Sequence, residues 1–237
     1  MSIKINYPNK VNNTSIANLV LFTDEKFNIS NLKKYISNTE FSYIMDLLKT
    51  SDLKKSIFVF EINSKKKIIL ISIKKDLKSF DVENLGAEFY SYINYGKNSE
   101  YLINSDSIIG KHENFTDYFL HGLKLKSYEF NKYKTKKEIR LISINVLGSK
   151  NKTLFQNQLK FKALEEGIFY ARDLVSEPGN ILHPDEYAKR LNSLKKDGLK
   201  VNIYDEKKLK KLGMNALLGV GMGSIRGSYL VTMEWNG

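Results

Sequence analysis

The residues whose spacing most suggests chemistry form a glycine-rich stretch, GVGMGS, at 219–224. Glycines at such spacing let a backbone cradle a phosphate when a helix begins directly after them and aims its N–H groups at the anion. The residues that follow, SYLVTMEW at 228–235, have the β-branched and aromatic character of a strand. We therefore interpret the stretch as a turn between strands and not as a nucleotide-binding loop.

Metal chemistry would need clustered histidines or carboxylates, and the chain has three histidines, His112, His121 and His183. His112 lacks the second histidine four residues on that a zinc-binding helix uses, and His121 lies in a phenylalanine-rich helical pattern typical of a satisfied or surface imidazole. His183, Asp185 and Glu186 are close in sequence, but adjacent positions at a helix start point in different directions. We predict no catalytic, cofactor-binding or metal-binding residue in this chain.

A side-chain nucleophile is missing as well, because cysteine is absent and no serine stands in a GxSxG turn. The absence of cysteine also removes disulfides and thiolate metal sites, which suits a reducing cytosol. No apolar run approaches the roughly 20 residues of a membrane span, and the first residues lack the apolar core of a signal peptide. These features predict a cytoplasmic protein without membrane contact.

The net charge of +12 raises the alternative of a nucleic-acid binder. Lysine dominates the 38 basic residues, whereas arginine is the residue expected where phosphates or guanines are gripped by paired hydrogen bonds. We interpret the lysine runs at 65–67, 207–208 and 210–211 as solvated surfaces. Nucleic acid is therefore not an expected partner.

The elements that would position a site centre on a long helix and a rigid corner within 156–187. The helix is predicted to end at Ser176, because Pro178 forces its predecessor away from helical angles and Pro184 can open the next helix. We interpret the corner as a junction between two folded bodies, against the alternative of an ordinary core helix and loop. Apolar steps of three and four predict one buried helical face: Phe161, Leu164, Ile168, Ala171 and Val175.

Before the corner, strand and helix patterns alternate. Strand-like runs occur at 17–22, 56–60, 67–73, 101–103 and 138–146, with helical patterns at 81–93 and 113–123. We expect a hairpin tip at Asn63 and Ser64, and Asp81 as the cap of the helix that follows. After the corner we expect a helix that has Tyr187, Leu191 and Leu194 inward and stops at Gly198, and then strands at 199–205 and 229–235. This alternation predicts an α/β sheet covered on both faces.

Three blocks in order resemble the leucyl aminopeptidase (cytosol aminopeptidase) family of metalloexopeptidases: ARDLVSEPGNILHP at 171–184, KKLGMNALLGVGMGS at 210–224 and YLVTMEWNG at 229–237. A fourth, GLKLKSYEFNKYKTKK at 122–137, is similar to the segment before that family's interdomain helix. Two positions depart from the family pattern. His183 stands where a helix-capping threonine is usual, at a cost on the order of 1 kcal/mol unless another group replaces the cap, and Met222 stands where glutamine is usual.

The resemblance implies a fold and an activity. It implies an N-terminal twisted sheet flanked by helices at 1–150, an interdomain helix at 151–178, and an incomplete start of the α/β catalytic domain at 179–237. Members of the family remove N-terminal residues from peptides with two divalent metals, manganese or zinc, and assemble as homo-oligomers. Their catalytic and metal motifs, a lysine in a VGKG-type turn, an FDSGG-type aspartate and an NTDAEGR-type segment, do not occur in this sequence.

We therefore predict that the chain resembles the N-terminal part of a cytosolic leucyl aminopeptidase, stops before the metal-binding motifs and is inactive alone. A truncated gene, a split gene or an engineered fragment would each produce such a chain. The alternative is a non-catalytic assembly or interaction module. A lysine-rich nucleic-acid binder, recognisable by an affinity that falls steeply with salt, is the third interpretation.

Overall fold

The computed structural model of the chain describes residues 2–8, 18–94, 100–110, 113–136, 141–148 and 155–236. The chain divides into two compact units, Met1–Tyr170 and Ala171–Gly237. The boundary lies within one long helix, α4 (Phe155–Ser176), and the division into 1–150, 151–178 and 179–237 stays a prediction. Within the described ranges, every helix is too short or too polar to cross a bilayer.

The first unit alternates strands and helices along the chain. Its elements are β1 (Ser2–Asn6), β2 (Asn18–Asp24), α1 (Asn38–Thr50), β3 (Ile57–Asn63), β4 (Lys66–Ile73), α2 (Ser79–Ile93), β5 (Glu100–Asn104), α3 (Phe115–Lys126), β6 (Leu141–Leu147) and most of α4. The strands form one sheet in the order β1-β6-β5-β2-β4-β3. All neighbouring pairs are parallel except β3 with β4, which is antiparallel. The predicted α/β fold class is confirmed.

Strand β2 shows why this sheet is covered on both faces. Val20 and Phe22 join a core that contains residues of α2 and α3, whereas Leu19 and Leu21 join a second core that contains residues of α1. All four side chains are buried. Successive side chains of a strand point to opposite faces, so a continuous apolar run is the signature of a strand buried on both.

Helices α2 and α3 approach each other backbone to backbone at two glycines. A β-carbon added to Gly122 would lie 1.9 Å from the carbonyl oxygen of Glu83, and one added to Gly86 would lie 1.9 Å from that of Phe119. Such contacts are far below van der Waals distance, so any larger side chain would push the helices apart. The close approach brings the Phe89 and Phe119 rings within 5.5 Å, centroid to centroid.

Most predictions of elements in the first unit are confirmed. The hairpin turn follows Asn63. Helix α2 matches the helical pattern predicted at 81–93, and it buries the apolar residues that recur there at steps of three and four, Val82, Leu85, Phe89 and Ile93. The prediction that Asp81 caps α2 is wrong, because the helix begins earlier, at Ser79. The Asp81 carboxylate instead accepts a hydrogen bond of 2.9 Å from the backbone N–H of Lys78. Residue 17, residues 138–140 and the predicted domain edge at 150 lie outside the described residues.

The predicted buried face of α4 is wrong in part. Phe161 is buried, but Leu164 is 43% exposed and Val175 is 87% exposed. The buried side chain one turn after Phe161 is Glu165, which pairs with a histidine and a lysine of α3. Polar pairing, and not apolar periodicity alone, therefore decides which face of α4 packs on α3.

The second unit holds the end of α4, then α5 (Pro184–Asn192), β7 (Lys200–Tyr204), α6 (Glu206–Lys211), α7 (Asn215–Gly221) and β8 (Leu230–Glu234). Strands β7 and β8 pair antiparallel as a two-stranded sheet. A 3-10 turn extends α5 until Gly198, whose φ of 93° stops it as predicted. Of the side chains predicted to face inward, Leu191 is buried and Leu194 is of intermediate exposure. The prediction is wrong for Tyr187, which is exposed, because Ala188 and Leu191 form the buried face of α5.

We expect Gly122→Ala to destabilise the chain by about 1–3 kcal/mol, because the added methyl group meets the Glu83 carbonyl. Gly167→Ala is the matched control. Gly167 is helical, and its added methyl group would meet nothing within 4 Å, so this variant should be unchanged or up to about 1 kcal/mol more stable. Urea unfolding followed by circular dichroism measures both, and equal stabilities would contradict the close packing of α2 on α3.

Candidate functional site

The corner after α4 is held by a buried ion pair. Helix α4 ends at Ser176, as predicted, and the side chain of Glu177 is buried. One oxygen of that carboxylate accepts a hydrogen bond of 2.8 Å from Nη1 of Arg190. The Nε of the same guanidinium donates to Glu186 at 3.0 Å. A single arginine thus ties the start of the corner to α5 through a forked donor, which suits arginine better than lysine.

The charges of this corner stabilise one another. The pKa of Arg190 is raised, first by its hydrogen bond to Glu177 and then by that to Glu186. The pKa of Glu186 is lowered, chiefly by the hydrogen bond from Arg190. Glu186 therefore stays ionised in the first turn of α5, where a negative charge also interacts favourably with the helix dipole.

His183 occupies the N-cap position of α5 without capping it. Its side chain makes no hydrogen bond to the first-turn N–H groups, and its Nδ1 instead contacts a carboxylate oxygen of Asp185. Arg226 approaches the other oxygen at 3.6 Å. Burial raises the pKa of Asp185, but the His183 hydrogen bond and Arg226 outweigh it, so the net shift is downward. The arrangement is an ion cluster at a helix start.

Other carboxylates of the second unit shape the backbone. Asp205 caps α6 by accepting a hydrogen bond of 2.9 Å from the N–H of Lys208, and Glu206 accepts one from the loop before β8. Glu234 pairs with Lys200 at 3.1 Å. Among the described residues, no three histidine, aspartate or glutamate side chains come close enough to hold a metal ion. That the whole chain lacks catalytic and metal-binding residues stays a prediction.

The histidines singled out in the sequence take different places. His112 lies outside the described residues. His121 is buried in α3, with its Nδ1 3.4 Å from Glu165, which also accepts a hydrogen bond of 2.9 Å from Lys124. Its ring lies 4.9 Å from that of Phe161. His121 is therefore a satisfied core imidazole, which is one of the two alternatives that the sequence left open.

The glycine-rich stretch differs from its prediction in one respect. Gly219 and Gly221 lie in α7, so the interpretation as a turn between strands is wrong for the first half of the stretch. Ala216, Leu217 and Leu218 are good helix formers, and they carry the helix through the glycines. Strand β8 follows the remaining turn, as expected, so no helix N-terminus is available to meet a phosphate there.

The lysine runs are partly neutralised within the chain. In the run at 65–67, Lys66 pairs with Glu40 and Lys67 with Glu61. Lysines engaged in this way present less positive potential to a phosphate backbone. The interpretation as solvated surface is therefore favoured for this run.

A feature that the sequence analysis missed is the apolar surface of the second unit. Val220 is 88% exposed and Ile225 is fully exposed. The full set of exposed large apolar side chains after residue 211 is Leu212, Val220, Met222, Ile225, Met233 and Trp235. The local sequence pattern predicted strands and turns in this segment, but it could not predict whether other parts of the protein would bury their apolar side chains.

Comparisons with known proteins match the second unit most directly. The sequence model described as cytosol aminopeptidase family, catalytic domain, matches residues 169–237. The probable cytosol aminopeptidase of Agrobacterium fabrum is 42% identical over 125 residues, which cover 50% of this chain and 25% of that protein. That of Nitrobacter winogradskyi is 32% identical over 183 residues, covering 72% of this chain and 36% of that protein. The chain thus spans a quarter to about a third of these relatives.

Solved structures share the fold over nearly the whole chain. A mutant of tomato leucine aminopeptidase gives a TM-score of 0.77 at 18% identity, covering 98% of this chain and 50% of that one. The bottromycin maturation enzyme BotP, solved in complex with manganese, gives 0.69 at 14% identity, covering 94% and 46%. The chain belongs to the leucyl aminopeptidase (cytosol aminopeptidase) family. In this family member, the ion-paired corner at 177–190 falls inside the catalytic-domain match.

We expect Glu177→Ala to weaken the second unit by about 2 kcal/mol, because it leaves the Arg190 guanidinium without its buried partner. Amide exchange in α5 and β7 should become roughly 30-fold faster. Glu234→Ala removes the exposed pair with Lys200 and is the control, with an expected effect below about 1 kcal/mol. Unchanged exchange in Glu177→Ala would contradict the role of this pair.

Proposed function

We propose that this chain supplies the N-terminal unit and the opening elements of a cytoplasmic metalloaminopeptidase, and that it does not hydrolyse peptides alone. The match of the family's catalytic domain to 169–237 carries the proposal. The complete enzyme would remove N-terminal residues from peptides, with two divalent metals, manganese or zinc. A homo-oligomeric assembly through the first unit fits the same proposal.

The chemistry of the reaction supports inactivity of the chain alone. Two-metal hydrolysis needs several carboxylates converging on metals about 3.5–4 Å apart, which together activate water and polarise the scissile carbonyl. Here the carboxylates of Glu177, Asp205 and Glu234 are engaged in an ion pair, a helix cap and a cross-strand pair. The described residues therefore do not fit a two-metal centre, and the ligands would come from the rest of a catalytic domain.

We expect the purified chain to show no turnover of leucine p-nitroanilide above the blank, with or without added manganese or zinc. A complete leucine aminopeptidase assayed in parallel shows that the conditions support catalysis. Metal-dependent turnover that is abolished by Asp185→Asn or Glu234→Gln would contradict the proposal, because a contaminating peptidase would not respond to those changes.

A second candidate, a non-catalytic assembly module, is favoured by the apolar surface of the second unit. Exposed side chains such as Val220, Ile225 and Trp235 gain little from water contact, and covering them would be favourable by roughly 25 cal/mol per Å² of apolar area. Since 169–237 matches the catalytic domain of cytosol aminopeptidases, we assign this surface to the remaining part of such a domain, whether in the same polypeptide or in another chain.

Co-expression tests this assignment. We expect the chain to co-purify with the C-terminal part of the Agrobacterium fabrum relative, taken from the residue after the matched segment. Ile225→Asp should abolish co-purification, because it places a charge on the covered surface. Phe80→Asp, which alters an exposed apolar residue of the first unit, is the control and should leave it intact. Failure of the unmodified chain to co-purify would count against this surface.

A further inference from the structure

A crevice in the first unit lies where the strand order reverses. The chain that leaves β2 leads to α1, whose buried residues share one core with Leu19 and Leu21, and the chain that leaves β5 leads to α3, whose residues share the opposite core. In open α/β sheets, ligands bind outside the carboxyl ends of the strands at such a point. The crevice between these two connections has a volume of about 240 Å³.

The floor of the crevice is apolar and fixed in place. Phe22, Leu32 and Ile108 line it and are buried. The Ser107 hydroxyl accepts a hydrogen bond of 2.9 Å from the Phe22 N–H and donates one of 2.6 Å to the Asn104 carbonyl. These two bonds join the ends of β2 and β5, so the floor is formed before any ligand arrives.

The rim after β2 is also held in one conformation. One oxygen of Asp24 accepts hydrogen bonds from the N–H groups of Lys26 and Asn28, at 3.1 and 2.9 Å. Phe27 between them has a left-handed φ of 52° and is buried edge-on against Phe58, at 4.8 Å between centroids. A bulky residue in this region is strained, and such strain persists where the surroundings determine it, often beside ligand sites.

The Tyr35 hydroxyl is the feature that points to a ligand. Tyr35 lines the crevice, its oxygen is buried, and no described group accepts a hydrogen bond from its O–H. The Lys34 ammonium lies 4.8 Å from the centre of the Tyr35 ring. The pKa of Lys34 is raised, first by a hydrogen bond from its ammonium to the Tyr35 oxygen and then by the negative charge of Asp106. A ligand oxygen that accepts from Tyr35 and faces Lys34 would satisfy both groups.

The charges around the crevice restrict the class of ligand. Among the described residues that line the crevice, one cation, Lys34, stands with two carboxylates, Asp24 and Asp106, and the amides of Asn28 and Asn31. Two carboxylates disfavour a ligand with several phosphates, whereas they favour a ligand that also carries a positive group. The volume is below the roughly 300–1,000 Å³ typical of sites for drug-sized molecules, and therefore suits a molecule of amino-acid size.

We propose that this crevice binds a free α-amino acid with an apolar side chain. The ligand carboxylate accepts from Tyr35 and pairs with Lys34, its ammonium lies in the negative field of Asp24 and Asp106, and its side chain covers the apolar floor. The site lies wholly within the first unit. It does not depend on peptidase activity, and its test can fail or succeed independently of the proposed function.

Isothermal titration of the 237-residue chain with L-leucine tests the ligand class. We expect saturable binding of leucine, and at least about tenfold weaker binding of leucinamide, which lacks the carboxylate, and of isocaproate, which lacks the ammonium. Ribose and inorganic phosphate should not compete. No saturable binding of leucine at millimolar concentration, or binding of ribose or phosphate in its place, would overturn the proposal.

Two variants test the location. Lys34→Met and Tyr35→Phe should each weaken leucine binding at least about tenfold, and Tyr35→Phe keeps the ring in place if the first variant folds poorly. Lys54→Met changes an exposed lysine outside the lining residues and should bind leucine as the unmodified chain does. Melting curves confirm that each variant is folded. Equal leucine affinity in Tyr35→Phe and Lys54→Met would place the ligand elsewhere and reject this site.

Discussion

The burial of β2 on both faces is the constraint on which the first unit depends. Its side chains alternate between two cores, with Leu21 in one and Phe22 in the other, and both are buried almost completely. Parallel neighbours need crossover connections, and each crossover must place its helix over one face of the sheet. Because α1 covers one face while α2 and α3 cover the other, the connections after β2 and β5 diverge. The crevice is the space that this divergence leaves.

Local pattern was enough to predict most elements of this unit. The apolar run of β2, the hairpin turn at Asn63 and the stripe of α2 each report the periodicity of a single segment. Periodicity does not report which neighbour covers a face, and the α4 stripe failed for that reason. Glu165 can be buried there because it pairs with His121 and Lys124, which are distant in sequence but adjacent in the fold.

The candidate sites were less predictable than the fold, because each joins segments distant in sequence. The sequence located the corner but not the Glu177–Arg190 pair that holds it. The crevice requires β2 and β5 to be neighbours, a pairing of residues such as Asn18 and Tyr101 that no local signal reveals. The nucleotide-binding loop was rejected because a strand, and not a helix, was predicted after the glycines. That strand, β8, is present, although the sequence did not predict α7.

The two units differ in how they obtain stability, and this difference separates their proposed roles. The first closes two apolar cores around one sheet, which gives a rigid edge on which a small ligand can be held by prearranged groups. The second buries few large side chains, chiefly Leu191, Val201 and Leu209, and is tied together by caps and ion pairs. A small unit of this kind can bury more apolar surface chiefly by packing against another protein segment. The proposed recognition of a small molecule therefore depends on the first unit, and the proposed packing against the rest of a catalytic domain depends on the second.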